Sequence, residues 1–201
     1  MFVRGIAALL GLGLVLSAEA AEMRVTEVGP YQLESSIEWI SARRVNMRAE
    51  VTIPSYPARV WAVITDYENL SEFVPNITYS HVVLRQPKLI LLQKGHLRVP
   101  PYFHPVEAVF ELEENPPNTL SFRIVRDVRE IPGASQRKDP DFLVYDGFWG
   151  LRPVEGGVRL IYQTTVEPNF WMPRWVIIEL QRHVLKVTFR AIIKRCLVKD
   201  S

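Results

Sequence analysis

The longest regular pattern in the chain lies near its end, and it constrains the fold more than any other stretch. From about Met172 to Val198, apolar and polar residues recur with a helical period. Trp175, Ile178, Leu185, Phe189, Ile192 and Cys196 form one apolar stripe, which Ile177, Leu180, Val184, Val187 and Ala191 widen. Glu179, His183, Lys186, Arg190 and Lys194 form a polar stripe, and Pro173 suits a first helical turn. The apolar arc is broader than a helix resting on a surface needs. Such a helix requires a concave apolar partner.

The middle of the chain supplies one. "RRVNMRAEVTI", residues 43–53, alternates Val45, Met47, Ala49, Val51 and Ile53 with polar neighbours, which predicts a first long strand. Six more strands are expected at 77–85, 88–98, 102–114, 119–126, 142–152 and 157–167, separated by "QP", "PP", "ENPPN" and "EGG". Tyr102, His104, Val106, Ala108, Phe110 and Leu112 share one face of their strand; Glu107, Glu111 and Glu113 take the other. Leu120, Phe122 and Ile124 alternate in the same way. Sequential strands with short turns imply an antiparallel meander.

Between the first strand and the meander stands "VWAVITDYENLSEFVPNI", residues 60–77. Ser55 is the expected cap of a short helix with Pro57 in its first turn. Val60, Val63, Ile64 and Tyr67 share one face, Leu70, Phe73 and Val74 continue it on a second short helix, and Pro75 ends it. Helices this brief depend on packing for their stability. They are expected to plug one end of the curved sheet.

The remaining segments are ancillary. Arg4, the apolar run Ile6–Leu16 and the small residues Ala18 and Ala20 read as a cleavable secretory signal over residues 1–21. A bacterial periplasm is the expected compartment. Losing that segment removes Arg4 and Glu19, so the net charge of +2 is unchanged and gives no global case for nucleic acid. Residues 22–42 are expected to be an N-terminal arm or an extra strand. Residues 127–141, "DVREIPGASQRKDPD", read as a long polar loop, either functional or simply solvated.

Little in the sequence carries chemistry. His81, His96, His104 and His183 are scattered without ligand spacing, so no metal is expected. Cys196 is the only cysteine and reads as a small core residue. There is no glycine-rich phosphate loop and no G-x-S-x-G, and no cofactor is expected.

Three stretches carry a resemblance. "VWAVITDYENLSEFVPNI" resembles the opening of the START-like (SRPBCC) superfamily, which includes polyketide cyclases/dehydrases and coenzyme Q-binding proteins. "GFWGLRPVEGGVRLIY" (147–162) is similar to its late hairpin, and "VEPNFWMPRWVI" (166–177) to the start of its last helix. The resemblance covers about residues 43–198 and implies an α+β helix-grip domain. Its parts are a curved antiparallel sheet of about seven strands, two short helices, and a long C-terminal helix over a cavity.

The resemblance further implies a ligand of lipid, isoprenoid quinone or polyketide type. Candidate wall or portal residues are Tyr102, His104, Phe110, Phe122, Trp149, Leu151 and Tyr162 on strands, and Trp171, Trp175, Ile178, Arg182, Leu185 and Phe189 at or on the last helix. Tyr67, Leu70 and Phe73 are candidate gate residues. Trp149, Trp171 and Trp175 either line a portal or seal the core. Tyr102, His104, Tyr162 and Arg182 either supply acid/base groups or merely rim the cavity.

Three functions follow as expectations: binding or transport of a hydrophobic ligand, a cyclase/dehydrase-type reaction in the same cavity, or an accessory protein acting through an exposed face. The basic run Arg182, Lys186, Arg190, Lys194, Arg195 and Lys199 either touches an anionic membrane transiently or is a solvated face.

Overall fold

The computed structural model describes residues 22–99, 102–136 and 139–198. The expected signal segment, residues 1–21, lies outside the described residues, as do Arg137, Lys138, Lys199 and Asp200. Strict alternation in "VNMRAEVTI" makes β3 (Val45–Ile53) a strand with every second side chain buried. Its partner is β9 (Gly157–Pro168), antiparallel from Val45↔Val166 to Ile53↔Val158. The hairpin leading into β9 needs glycine at Gly157, where a Cβ would meet the Ile53 carbonyl oxygen at 2.1 Å.

The meander follows the turn signals closely. β4 (Ile77–Leu84), β5 (Leu89–Val99), β6 (Tyr102–Asn115), β7 (Thr119–Ile124) and β8 (Phe142–Val154) pair antiparallel in sequence, and β8 pairs with β9.

The sheet has nine strands rather than about seven. Residues 22–42 are no loose arm: β1 (Glu22–Val28) and β2 (Tyr31–Trp39) form a hairpin that extends the edge of β3. The order is β1-β2-β3-β9-β8-β7-β6-β5-β4. Val28, Leu33 and Ile37 bury themselves in the core, which is the free-energy reason for the extension. Their spacing is too irregular to read as a single alternating strand, because a turn at Gly29, with φ +64°, resets the register.

α1 (Pro57–Ile64) begins with Pro57 in its first turn. Tyr56, not Ser55, occupies the capping position, and no side chain caps the helix. Ser55 lies one residue too early, its own N–H donating to the Ile53 carbonyl at 2.8 Å. Thr65 ends α1 by returning both its N–H and its hydroxyl to the Trp61 carbonyl. A 3-10 turn (Tyr67–Asn69) and a one-turn helix, α2 (Leu70–Phe73), follow.

The long helix, α3 (Arg174–Leu197), does not bury one straight stripe. Its first half buries Val176, Ile177 and Leu180; its second half buries Leu185, Phe189, Ile192, Ile193 and Cys196. Continued backwards at the helical period, the second set reaches Ile178 and Trp175, on the other side from Val176 and Leu180. The two halves lean on different parts of the sheet. Leu185 to Cys196 pack with Val60, Val63, Val158 and Leu160, while Val176 to Leu180 pack with Met47, Phe142, Val166 and Met172.

The long loop is not a free excursion. Val125, Val128, Ile131 and Ala134 pack on Ile90, Leu92 and Val109, on the convex face of the sheet. The Glu107 carboxylate holds it there, accepting from the Ser135 N–H (2.7 Å) and hydroxyl (2.8 Å) and pairing with Lys94 (3.2 Å). These partners keep the Glu107 carboxyl below the usual carboxylate range against the opposing effect of burial, which is the largest single influence.

Candidate ligand cavity

Between α3 and strands β5 to β8 the core is hollow. The cavity has a volume of about 220 Å³. Leu91, Val106, Ala108, Phe110, Leu112, Leu120 and Phe122 form its sheet wall. Val184, Leu185, Thr188, Phe189 and Ile192 form its helical wall. Ile64, Tyr67, Leu70 and Val74 close the end where α1, the 3-10 turn and α2 meet, so the short helices plug the sheet.

Aromatic rings hold the space open. Phe110, Phe122 and Tyr145 meet edge to face with centroids 5.1 to 6.0 Å apart, and Trp149 lies 4.4 Å from Tyr162 and 5.6 Å from Phe189. Gly147 makes this possible. A Cβ there would lie 2.9 Å from the Phe122 ring and 2.1 Å from the Gln163 carbonyl oxygen.

The polar content of the wall is small. Two of the lining residues, Tyr145 and Tyr162, carry phenol hydroxyls. The Thr164 hydroxyl donates to the Asp146 carbonyl at 2.9 Å. Burial pushes both phenols above the ordinary tyrosine range. Tyr67 is also raised, first by burial and then by donating its hydroxyl to the Glu114 carboxylate at 2.5 Å. That bond ties the plugging turn to the end of β6. Asn76 Nδ2 is a buried donor without a partner in this wall.

A second space of about 40 Å³ lies under the first half of α3, lined by Met172, Ile177, Leu180 and Gln181. Leu97, Phe142, Tyr145 and Val184 line both spaces and form the partition between them.

Of the residues singled out in the sequence, Phe110, Phe122, Trp149, Tyr162, Leu185 and Phe189 come together around the cavity, with Tyr67 and Leu70 at its plugged end. Others lie elsewhere. Leu151 is buried in the cluster around Val60 and Val158. Phe73 packs against that same cluster beneath the Arg195 guanidinium. Tyr102 and Ile178 pack beside the second cluster without lining the space. His104 stacks on Phe170 with centroids 4.0 Å apart. Arg182 pairs with Glu179 at 2.8 Å.

Trp171 and Trp175 correct the sequence reading most. They are 75% and 55% exposed and line neither space: Trp171 precedes α3, and Trp175 is left outside because the buried face of α3 changes sides along its length.

Tyr145, Phe142, Gln93, Asn76 and Thr188 were not singled out from the sequence, yet they line the cavity. For Tyr145 a signal existed: counting by two from Trp149 and Leu151 places it on the inward face of β8. Among the described residues no group of three His, Cys, Asp or Glu side chains is placed to hold a metal ion. No described helix is long and apolar enough to cross a membrane.

A long helix gripped by a curved antiparallel sheet over an apolar cavity defines a helix-grip domain. The sequence profile of the polyketide cyclase/dehydrase and lipid transport family matches residues 53–192, and the chain belongs to that family. No curated protein matches the chain in sequence.

Solved structures share the fold. A STAR-related lipid transfer protein from Xanthomonas axonopodis superposes with a TM-score of 0.64 at 16% identity, covering 87% of this chain and 98% of that one. Human STARD10 gives 0.64 at 14%, covering 88% and 73%. The Zhui aromatase/cyclase from Streptomyces gives 0.60 at 9%, covering 76% and 93%.

Proposed function

We propose that this protein binds and carries a small hydrophobic ligand, a lipid or isoprenoid quinone, in the cavity beneath α3. One observation carries the reading: where a domain of this size ordinarily close-packs its core, aromatic and aliphatic side chains line about 220 Å³ of apolar space. Burial of the ligand supplies the affinity, at about 25 cal/mol per Å² of apolar surface before the costs of association. Carriage is favoured over a cyclase-type reaction by the wall chemistry. Tyr145 and Tyr162 are pushed away from ionisation, so neither serves as a base near neutral pH.

The reading includes export, which rests on the sequence of residues 1–21. It also includes transient contact with an anionic bilayer through Lys186, Arg190 and Lys194, all exposed on α3. Reversing the charge of Arg190 and Lys194 is expected to abolish sedimentation with anionic vesicles.

The central test compares native and denaturing mass spectra of the protein purified without detergent. The expected result is a stoichiometric mass lost on denaturation and recovered in an organic extract. A protein that is bare and takes up no hydrophobic probe overturns the reading and favours an accessory role through an exposed face.

A further inference from the structure

Taking the cavity to be a ligand site, as proposed above, one atom of its wall says what the ligand carries. Among the described residues, Asn76 Nδ2 is the one buried side-chain nitrogen or oxygen with no hydrogen-bond partner. A folded chain leaves such a donor unpaired at a cost in stability, which calls for a reason. Asn76 stands in the cavity wall where α2 gives way to β4. Its backbone is fixed: the Asn76 carbonyl accepts from the His96 N–H at 3.1 Å, and the next residue, Ile77, donates its N–H to the Val74 carbonyl at 3.0 Å. Gly95 allows β5 to come this close, since a Cβ there would overlap the Asn76 carbonyl oxygen. The residue is held in place before anything binds, so little backbone ordering opposes a bond to its amide.

The other polar groups of the wall are either spent or undirected. Gln93 Nε2 donates to Ser80 Oγ (3.4 Å), and the Tyr67 hydroxyl to Glu114. The Lys94 ammonium lies against Glu107 (3.2 Å) and the Gly133 carbonyl (3.2 Å) on the convex face. The His96 ring stacks on Phe103, which is exposed on that same face. An ionic head drawn into the space would meet no countercharge, and burying it unpaired is prohibitive. The hydroxyls of Tyr145, Tyr162 and Thr188 can turn to give or to accept, whereas an amide N–H can only give. The fixed polarity of the wall is that of a donor. Size sets the rest: an apolar cavity of roughly 150 Å³ takes benzene, so one of about 220 Å³ takes roughly two fused rings.

We infer that the cavity selects an uncharged one- or two-ring ligand bearing a carbonyl group, whose oxygen accepts from the Asn76 amide while its rings fill the apolar space.

Calorimetric titration of the full chain at pH 7.5 with indane, 1-indanone and indane-1-carboxylate tests this. The three probes share one ring system and differ in the polar group. Asn76→Leu, which keeps the bulk of the side chain and loses the donor, is expected to weaken 1-indanone about tenfold and to leave indane within about twofold. Asn76→Ala, which fits the turn even where leucine does not, is expected to lose the same discrimination. The carboxylate is expected to bind about a hundredfold more weakly than 1-indanone to the unaltered protein. An unchanged 1-indanone affinity in both variants, equal losses for indane and 1-indanone, or tight binding of the carboxylate overturns the inference while leaving the cavity as a ligand site. Failure of both indane and 1-indanone to bind overturns the cavity reading and this inference with it.

Discussion

The two halves of the interior are built to different rules. Around α1, β3 and β9, the side chains are mostly aliphatic and largely β-branched: Val51, Ile53, Val60, Val158 and Leu160, each 0–2% exposed. They fit the pleat of the sheet and interlock without gaps. Around β5 to β8 four inward positions are aromatic, Phe110, Phe122, Tyr145 and Trp149, set among aliphatic ones such as Leu91, Ala108 and Leu120. Flat rings that meet edge to face prop one another apart and leave space that shorter aliphatic chains would have collapsed into. The same sheet and helix thus make a stabilising end and a receiving end. Hollowness is located by side-chain shape, since overall apolarity is similar in both.

The contrast can be broken at its closed end first. Leu160→Ala, at a fully buried position, is expected to cost about 2–5 kcal/mol in denaturant titration, because the packed cluster cannot relax into the gap. The equivalent change at the hollow end, Leu120→Ala, is expected to cost clearly less, since one side of Leu120 already faces open space. Equal losses at the two sites would mean that the ends do not differ in packing.

Filling the receiving end is the next test. Ala108→Phe projects into the cavity. It is expected to leave the melting temperature unchanged or higher while weakening capture of any hydrophobic probe by more than tenfold. In a close-packed core the same enlargement costs about 1–3 kcal/mol.

The enclosed phenols give the difference a signature in alkali. Tyr67, Tyr145 and Tyr162 all have folded-state pKa values above the ordinary 10. For an acid raised on folding, the stabilising contribution is complete below the unfolded value and is lost as pH rises beyond it. Stability is therefore expected to be flat from neutrality to about pH 9, where the raised Cys196 thiol begins the loss, and to fall further above about pH 10 as the phenols join it, with a shallower fall in Tyr67→Phe. A fall that begins well below pH 9 contradicts the burial of these rings.

The smallest effect concerns Cys196, in the packed end. Burial pushes its thiol up to about 11, against a lesser opposing pull from Arg59. It is expected to react with a thiol reagent at pH 8 only as fast as the protein unfolds. Immediate labelling would show that the packed end opens locally.

Much of the fold was legible because its strands are one-sided. The period of two in 45–53 and 102–112, and the turn residues between strands, place the meander to within a few residues. The alternation also reached Phe110, Phe122, Trp149 and Tyr162. It could not reach Asn76 or Gln93, since a polar residue at an inward position carries no hydrophobic signal. Residues 22–42 were legible only as an arm or one extra strand, not as the β1–β2 hairpin, because their apolar residues are sparse and their value lies in covering an edge that only the folded sheet has.

What the sequence by itself determined is local: which residues alternate, where turns interrupt them, and that a long helix with an unusually wide apolar arc needs a concave partner. Those properties depend on neighbours along the chain. Only the tertiary structure decided which side of α3 is inside at each point. The helix crosses from one cluster to another, so its buried face shifts, leaving Trp175 exposed and Val176 covered. Only the tertiary structure, too, brought Tyr145 and Tyr162 together in the wall of one cavity. That pairing depends on the register between β8 and β9, and register is a property of two strands together, absent from either strand alone.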